Sequence, residues 1–382
     1  MLWNIINLAY RWLSIRRWNN YPRIEEFVEN EHLSLKLQLS YIVVKILQEK
    51  WKEVDLLYIY KNIFWNNFFT FIYSDIKFDV KKHLKKNYTE INFKLYEQIY
   101  NFFNELDLPD SILKDFNDII WNQIWDKLFE NKYELEDNII SFVKVFEIKL
   151  EIENNVKFYP LAYDWILPKI EEDIVKYWEL IWFDEWDILN KYAWSLIKLK
   201  FAYRWNRMNR NTPVSVLSHL FLVFMLSYFL WTLKWFDDKQ LEQILTISLL
   251  HDIPEALTWD VITPTKKAVP WFSQALEEIE AKLVDEKIVN LFSAYDFKEE
   301  LRKYTLDPFD GQIGKIAKYA DNLSAMFEAK IEDSTDFNRI YRDIKKHLWN
   351  QKNSELDYIL KYGSDYFDED VETKWKKFIH IA

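Results

Sequence analysis

The sequence predicts an all-α fold, and three observations carry that prediction. Apolar residues recur at helical spacing along almost the whole chain. Sustained two-residue alternation, the mark of a half-buried strand, is scarce. Glycine and proline, which punctuate strand-rich folds, number only 3 and 9 in 382 residues. That length suits two domains, or three, better than one compact core. Hydrophobic residues at 49% and charged residues at 29% supply large cores and rule out wholesale disorder.

Taken in order, HLSLKLQLSYIVVKILQEKW (32–51) has the three- and four-residue apolar spacing of a long helix. The polar ENNVK ahead of Pro160 and Pro168 marks the loosest stretch, so a connection is placed over 151–195 between a first domain, 1–150, and a second, 196–382. VSVLSHLFLVFMLSYFLWTL (214–233) has no formal charge and reaches the length of a membrane span. The mid-run His219, with LEQILTISLLHDI (241–253) following as a packing partner, points instead to a buried central helix, and no membrane contact is expected. SAMFEAKIEDSTDFNRIYRDIKKHL (324–348) resumes the helical period.

Fifty Lys and Arg against 61 Asp and Glu leave a net charge of −11, so no global field attracts a phosphate backbone and nucleic acid is not an expected partner. An anionic ligand needs a local basic pocket. The absence of cysteine excludes disulfides, thiolate metal sites and cysteine nucleophiles, and no basic segment precedes the apolar opening MLWNIINLAY, which together suit a cytoplasmic protein. Glycine is far below the roughly 27 that average usage gives, while tryptophan reaches 19. One economical reading, helped by the AT-rich bias behind abundant Lys, Asn, Ile and Tyr, is that UGA, translated here as Trp, means Gly in the source organism. Trp259 in LTWDVITP and Trp271 in VPWFSQ fall in polar breaks where a residue tolerating positive φ is wanted, whereas Trp18 and Trp205 read as genuine tryptophans.

Four potential ligands stand out in the C-terminal half: His219, the dyad His251–Asp252 at the end of the next apolar helix, and Asp321 in ADNLSAMFEAKI. Carboxylates at buried helices are costly unless they pair or coordinate a cation. Imidazole with carboxylate oxygen suits one divalent ion of the Mn, Co, Fe, Ni, Mg or Zn kind better than Ca, which prefers oxygen alone.

This order resembles the HD-domain superfamily of metal-dependent phosphohydrolases. HDIPEALTWDVITPTK (251–266) closely resembles the corresponding segment of bacterial HD-domain 5′-deoxynucleotidases, with Trp259 where glycine is usual, and RWNRMNRNTPVSVLSH (204–219) is similar to the Arg-Trp segment leading to their first ligand histidine. The long form is similar to two-part bacterial HD-domain proteins. Glu255, four residues after His251, is placed on the same helical face as a general acid or base, and Pro254 should kink the helix just past the dyad. The resemblance implies that Asp260 orients water or a sugar hydroxyl, that Arg204 grips phosphate and that Trp205 packs on the sugar. Arg207, Arg210, Lys266 and Lys267 supply local positive potential.

The N-terminal half repeats the plan. RRWNNYPR (16–23) precedes His32 as YRWNRMNR (203–210) precedes His219, with 15 residues between Arg17 and His32 and again between Arg204 and His219. YSDIKFDVKKHLKK (73–86) parallels the dyad segment with Ser74 for the histidine, Asp75 retained and Phe78 at the Glu255 position, and EDNIISFVKVFEIK (136–149) sets Asp137 opposite Asp321. The expectation is a tandem all-α protein with a degenerate first copy and an active second copy. It hydrolyses a nucleotide, with a deoxynucleoside 5′-monophosphate leading and a homodimer left open. The alternatives are hydrolysis of cyclic, hyperphosphorylated or triphosphate nucleotides, and a nucleotide-binding regulator.

Overall fold

The computed structural model describes residues 10, 13, 15–18, 20–73, 78–105, 110–125, 133–232, 237–258, 269–332 and 334–350. The helices run α1 (Glu29–Glu49), α2 (Leu56–Tyr73), α3 (Phe78–Asn87), α4 (Thr89–Glu105), α5 (Asp110–Trp125), α6 (Glu134–Phe158), α7 (Pro160–Tyr163), α8 (Ile166–Ile181) and α9 (Trp186–Phe201). They continue with α10 (Val216–Thr232), α11 (Asp238–Leu250), α12 (Glu255–Thr258), α13 (Phe272–Lys287), the 3₁₀ turn Val289–Phe292, α14 (Lys298–Leu306), α15 (Gly311–Glu332) and α16 (Thr335–Asn350). No β-strand occurs among the described residues, as the all-α expectation requires.

The uncharged run expected to be a central helix is α10. Every residue from Val214 to Leu230 is buried, and α10 packs on α1, α9, α11 and α15. A helix apolar on all sides can only be a core helix or a membrane span, and no described helix is long and apolar enough to cross a membrane. Ser215 caps α10 by accepting from the Ser218 N–H at 3.1 Å. The fully buried Leu217, Leu220, Phe221 and Leu222 each contribute about 1.5–3 kcal/mol on burial, so packing rather than intrinsic propensity holds the helix.

α1 does the same work in the first half. Residues 29–44 are buried, and the helix packs on α6, α9 and α10. Glu31 turns back to accept from the Val28 N–H at 3.1 Å, meeting one unpaired donor at its start. Buried apolar residues of the two halves form one continuous cluster. Polar pairs cross it: Trp65 Nε1 donates to the Tyr228 hydroxyl at 3.2 Å, and Ser215 Oγ donates to Glu31 at 2.6 Å.

Two isolated antiparallel bridges, Arg16 with Val28 and Tyr203 with Ser215, have both partners displaced by the same 187 residues. Asn155 Oδ1 accepts from the N–H groups of Ile24 and Glu25, and Glu332 accepts from those of Asn211 and Thr212, donors again 187 residues on. Arg17 pairs with Glu151 on α6, and Arg204 with Glu328 on α15. Asp137 does not follow this pattern; it accepts from the Tyr58 hydroxyl at 3.3 Å in the first turn of α6, and Glu147 is the α6 residue that meets His32. Helical text without a turn to anchor it can slip in register, and the bridges supply that anchor. Ser74 and Asp75 lie outside the described residues.

Among the described residues, every non-glycine with positive φ is a tryptophan: Trp18 at 56°, Trp51 at 64°, Trp182 at 56°, Trp205 at 54° and Trp271 at 67°. That conformation costs an L-residue about 1–2 kcal/mol. Trp51, Trp182 and Trp271 are 95%, 77% and 81% exposed, so little indole packing offsets the strain. Trp51 and Trp182 lie just past the ends of α1 and α8, where a left-handed glycine is usual. Trp18 and Trp205, read from sequence as genuine, share the same backbone but are packed.

Candidate metal centre

The site forms where α10, the end of α11 and α15 meet. Val216 N–H donates to Ala202 at 2.8 Å and Arg204 N–H to Val214 at 3.0 Å, which pins the Arg204 segment beside the start of α10. One turn into α10 stands His219, fully buried. Its Nε2 lies 3.1 Å from Asp321 Oδ1 and 3.7 Å from Asp252 Oδ2, while its Nδ1 faces Glu328 Oε1 at 3.2 Å. His251 sets Nδ1 3.0 Å from the Ser248 carbonyl, which fixes that nitrogen as the donor and leaves Nε2 as an acceptor. Nε2 lies 3.4 Å from Asp252 Oδ2 and makes no hydrogen bond. Donor atoms of His219, His251 and Asp252 fall within 4.8 Å of one another.

The dyad is not inside a helix. α11 ends at Leu250, and residues 251–254 form turns before the four-residue α12 begins at Glu255. Pro254 explains the early stop: its ring disfavours helical backbone at the preceding residue and it has no N–H to donate. Glu255 thus reaches the site through a turn rather than along one helical face, its N–H donating to the Asp252 carbonyl at 3.1 Å.

Glu328, which sequence reasoning passed over, organises the centre. It is buried and meets His219 Nδ1, Arg204 Nε at 3.4 Å and Arg210 Nη1 at 3.1 Å. It lies seven residues, two helical turns, beyond Asp321 on α15, so one helix face carries both. Arg210 also binds Glu332 at 3.0 Å, so its charge is committed to the scaffold rather than offered to a ligand. Trp205 stacks on Phe337 with centroids 5.0 Å apart, and Arg210 lies 5.4 Å from its ring; one face is thus already covered. Arg204 keeps Nη1 toward Asp252 at 3.7 Å, and Arg207 is exposed. Asp260, Lys266, Lys267 and Trp259 lie outside the described residues.

Burial disfavours every charge here, yet the pairings win at Glu328, Asp321 and His219. Burial raises the Glu328 carboxyl, but Arg204 and the His219 hydrogen bond bring it down to about 2. Asp321, likewise opposed by burial, is carried well below the carboxylate range by its His219 hydrogen bond and the Lys318 charge. For His219, burial and Arg204 push down, but the hydrogen bonds to Asp321 and Glu328 outweigh them and raise it. His251 is lowered, chiefly by burial. Among the described residues, Arg204 lies against Asp252 and Glu328, Arg210 against Glu328 and Glu332, and Lys318 against Asp321. The carboxylates of Asp252 and Asp321 beside His219 Nε2, with the Nε2 of His251 making no hydrogen bond, fit one divalent cation held by nitrogen and oxygen donors.

Residues 191–367 match the family of YfbR-like 5′-deoxynucleotidases. A 5′-deoxynucleotidase of Vibrio atlanticus is 25% identical over 180 residues, covering 45% of this chain and 92% of the relative. One from Photorhabdus laumondii is 26% identical over 173 residues, covering 44% and 87%. An HD-domain phosphohydrolase from Listeria innocua superposes with a TM-score of 0.40 at 21% identity, over 51% of this chain and 99% of its own. Over residues 191–367 the chain is similar to the 5′-deoxynucleotidases.

Proposed function

We propose that the chain is a cytoplasmic phosphomonoesterase that removes phosphate from nucleotides, with a deoxynucleoside 5′-monophosphate as the leading substrate. The observation that carries this reading is the convergence of His219, His251 and Asp252 within 4.8 Å, next to Asp321. The substrate class is suggested by the relatives' activity and by the RWNRMNR and HDIPEALTWDVITPTK segments.

His219, His251, Asp252 and Asp321 would hold a divalent ion, which would supply Lewis-acid activation of water and of a phosphate oxygen. His219 and His251 each turn Nδ1 to a protein partner and Nε2 to the centre. Glu255 takes the proton of the attacking water and returns one to the leaving sugar oxygen. Arg204, anchored through Nε on Glu328, directs Nη1 toward the space where phosphoryl oxygens gather charge. Asp260 and Lys266 are assigned to the same chemistry, orienting the sugar and the phosphate.

In this reading residues 1–150 are a decayed copy, 151–195 connect, and 196–382 hold the working site; the equal displacement of both bridges supports it. A panel of Mn²⁺, Co²⁺, Mg²⁺, Ni²⁺ and Zn²⁺ against mono-, tri- and cyclic nucleotides tests the function. Phosphate released from monophosphates is the expected result. Turnover confined to cyclic or triphosphate substrates replaces the reading with the phosphodiesterase or triphosphohydrolase one, and binding without turnover replaces it with a regulator.

A further inference from the structure

One carboxylate of the first half reaches the start of the helix that carries His219. Glu31, buried in the first turn of α1, uses its two oxygens on two helices. Oε2 accepts from the Val28 N–H at 3.1 Å, at the start of α1, and Oε1 accepts from the Ser215 hydroxyl at 2.6 Å, at the start of α10. The 187-residue displacement that relates the two bridges sets Val28 opposite Ser215. Valine has no side-chain oxygen with which to cap a helix, so Glu31 meets that need for α1. Its second oxygen serves the other copy.

Ser215 links the two parts of the C-terminal centre. Its Oγ accepts from the Ser218 N–H at 3.1 Å and lies 3.2 Å from the Ser218 hydroxyl, and its carbonyl accepts from the N–H of His219 itself at 3.0 Å. On the other side its backbone bridges Tyr203, and the flanking bonds of Val214 to Arg204 N–H and of Val216 N–H to Ala202 tie it to the segment that carries Arg204. A hydroxyl has one proton to give. Donating it to Glu31, across the shortest of these contacts, leaves the oxygen's lone pairs for the Ser218 N–H, so the carboxylate fixes the direction of the cap as well as its place. Glu31 and Ser215 are both buried, where an unmet donor or acceptor is costly.

We infer that Glu31 is a positioning residue for the C-terminal centre: acting through Ser215, it sets where His219 and Arg204 stand relative to each other. The first copy then does more than pack against the second. It supplies one side of the support for the working site, from outside residues 191–367, the part that matches the nucleotidase family. The inference rests on reading His219 as a metal ligand and Arg204 as the partner of the phosphate.

In the full chain, titration with Mn²⁺ reads the centre, and amide hydrogen exchange over residues 216–219 reads the start of α10. Glu31→Ala should weaken Mn²⁺ binding about 5–20-fold, between the loss of a helix cap and the loss of a ligand's hydrogen-bond partner, and should speed that exchange. Glu31→Gln keeps the length and one acceptor oxygen and should recover part of both. Ser215→Ala should match Glu31→Ala, and the double variant should lose no more than either alone, as when one residue acts through the other. A folded Glu31→Ala protein with wild-type affinity and exchange overturns the inference, and so do losses that simply add. If Glu31→Ala does not fold, Glu31→Gln completes the cycle with Ser215→Ala and the same outcomes decide. A wild-type chain that takes up no Mn²⁺ removes the metal reading instead, and exchange over 216–219 still decides whether Glu31 holds the start of α10.

Discussion

The pockets around His219 and His32 share a histidine one turn into a buried helix, an arginine 15 residues before it and acids on a later helix, yet their carboxyl groups are shifted oppositely. Burial acts on all of them. Around His219 it is overcome, and Asp321 and Glu328 are held well down. Around His32 burial prevails: Glu147 is pushed well up, with the Glu151 charge adding to it, and Glu151 is raised against the pull of Arg17. If the His219 centre alone holds the ion, ligand residue types alone do not make a metal site. A pocket suits a cation when its acids stay ionised.

The largest expected effect comes from Asp252→Ala. Asp252 approaches both His219 and His251, so its loss should empty the C-terminal centre and lower turnover by about 10⁴ or more, since activation of water goes with the ion. Metal analysis with phosphate release checks both. Glu255→Gln comes next and should separate the two readouts, with metal content near that of wild type and turnover down roughly 10²–10⁴, the range for losing a general acid or base. Full activity in that variant would pass the role to Asp260.

What the sequence made legible follows from the same contrast. His219, His251, Asp252 and Asp321 were visible because each is a polar residue in or beside an apolar helix, where chance seldom leaves one. Glu328 was not, because a glutamate in MFEAKIE reads as a solvated helix face; only the packing of α15 on α10 buries it. Nothing in the text signals the Phe337 ring that covers one face of Trp205. The all-α class and the buried α10 were readable from periodicity and charge. The end of α11 at Leu250 depends on where Pro254 breaks the backbone, a matter of a few residues that the dyad motif hides.

Glu328→Gln should have an intermediate effect and tests the carboxylate contrast directly. It keeps the shape but removes the charge that orients His219, so metal affinity should fall about 10–100-fold, as when a partner of a ligand histidine is lost. The pH dependence has a definite sign. With its pKa lowered from 4.5 to about 2, Glu328 adds stability that is fully present above 4.5 and is lost as pH falls toward 2. The variant should lack that part of the acid-unfolding slope. Raised carboxyls work the other way, so Glu147→Gln should relieve a cost that grows as pH rises above the ordinary carboxylate range. Parallel acid titrations of the two variants that give slopes of the same sign would break the comparison.

The smallest effect concerns the tryptophans at positive φ, and it sharpens the comparison by dividing them in two. Trp51, Trp182 and Trp271 are exposed, so replacing each with glycine should remove about 1–2 kcal/mol of left-handed strain, offset in part by the greater backbone freedom of unfolded glycine. Net gains of a few tenths to 1 kcal/mol, seen as a rise in thermal midpoint, are expected. Trp18 and Trp205 occupy corresponding places beside the two pockets. There relief of strain is set against lost packing, on Tyr21 and Tyr163 in one case and on Phe337 in the other, and Trp18→Gly and Trp205→Gly should be neutral or destabilising. If the codon translated here as Trp means glycine in the source organism, the natural protein already has the stabilised backbone at the exposed positions. Its intact mass then falls below that of a chain with 19 tryptophans, whereas a mass matching all 19 removes the recoding and leaves the strain as a real property of the chain.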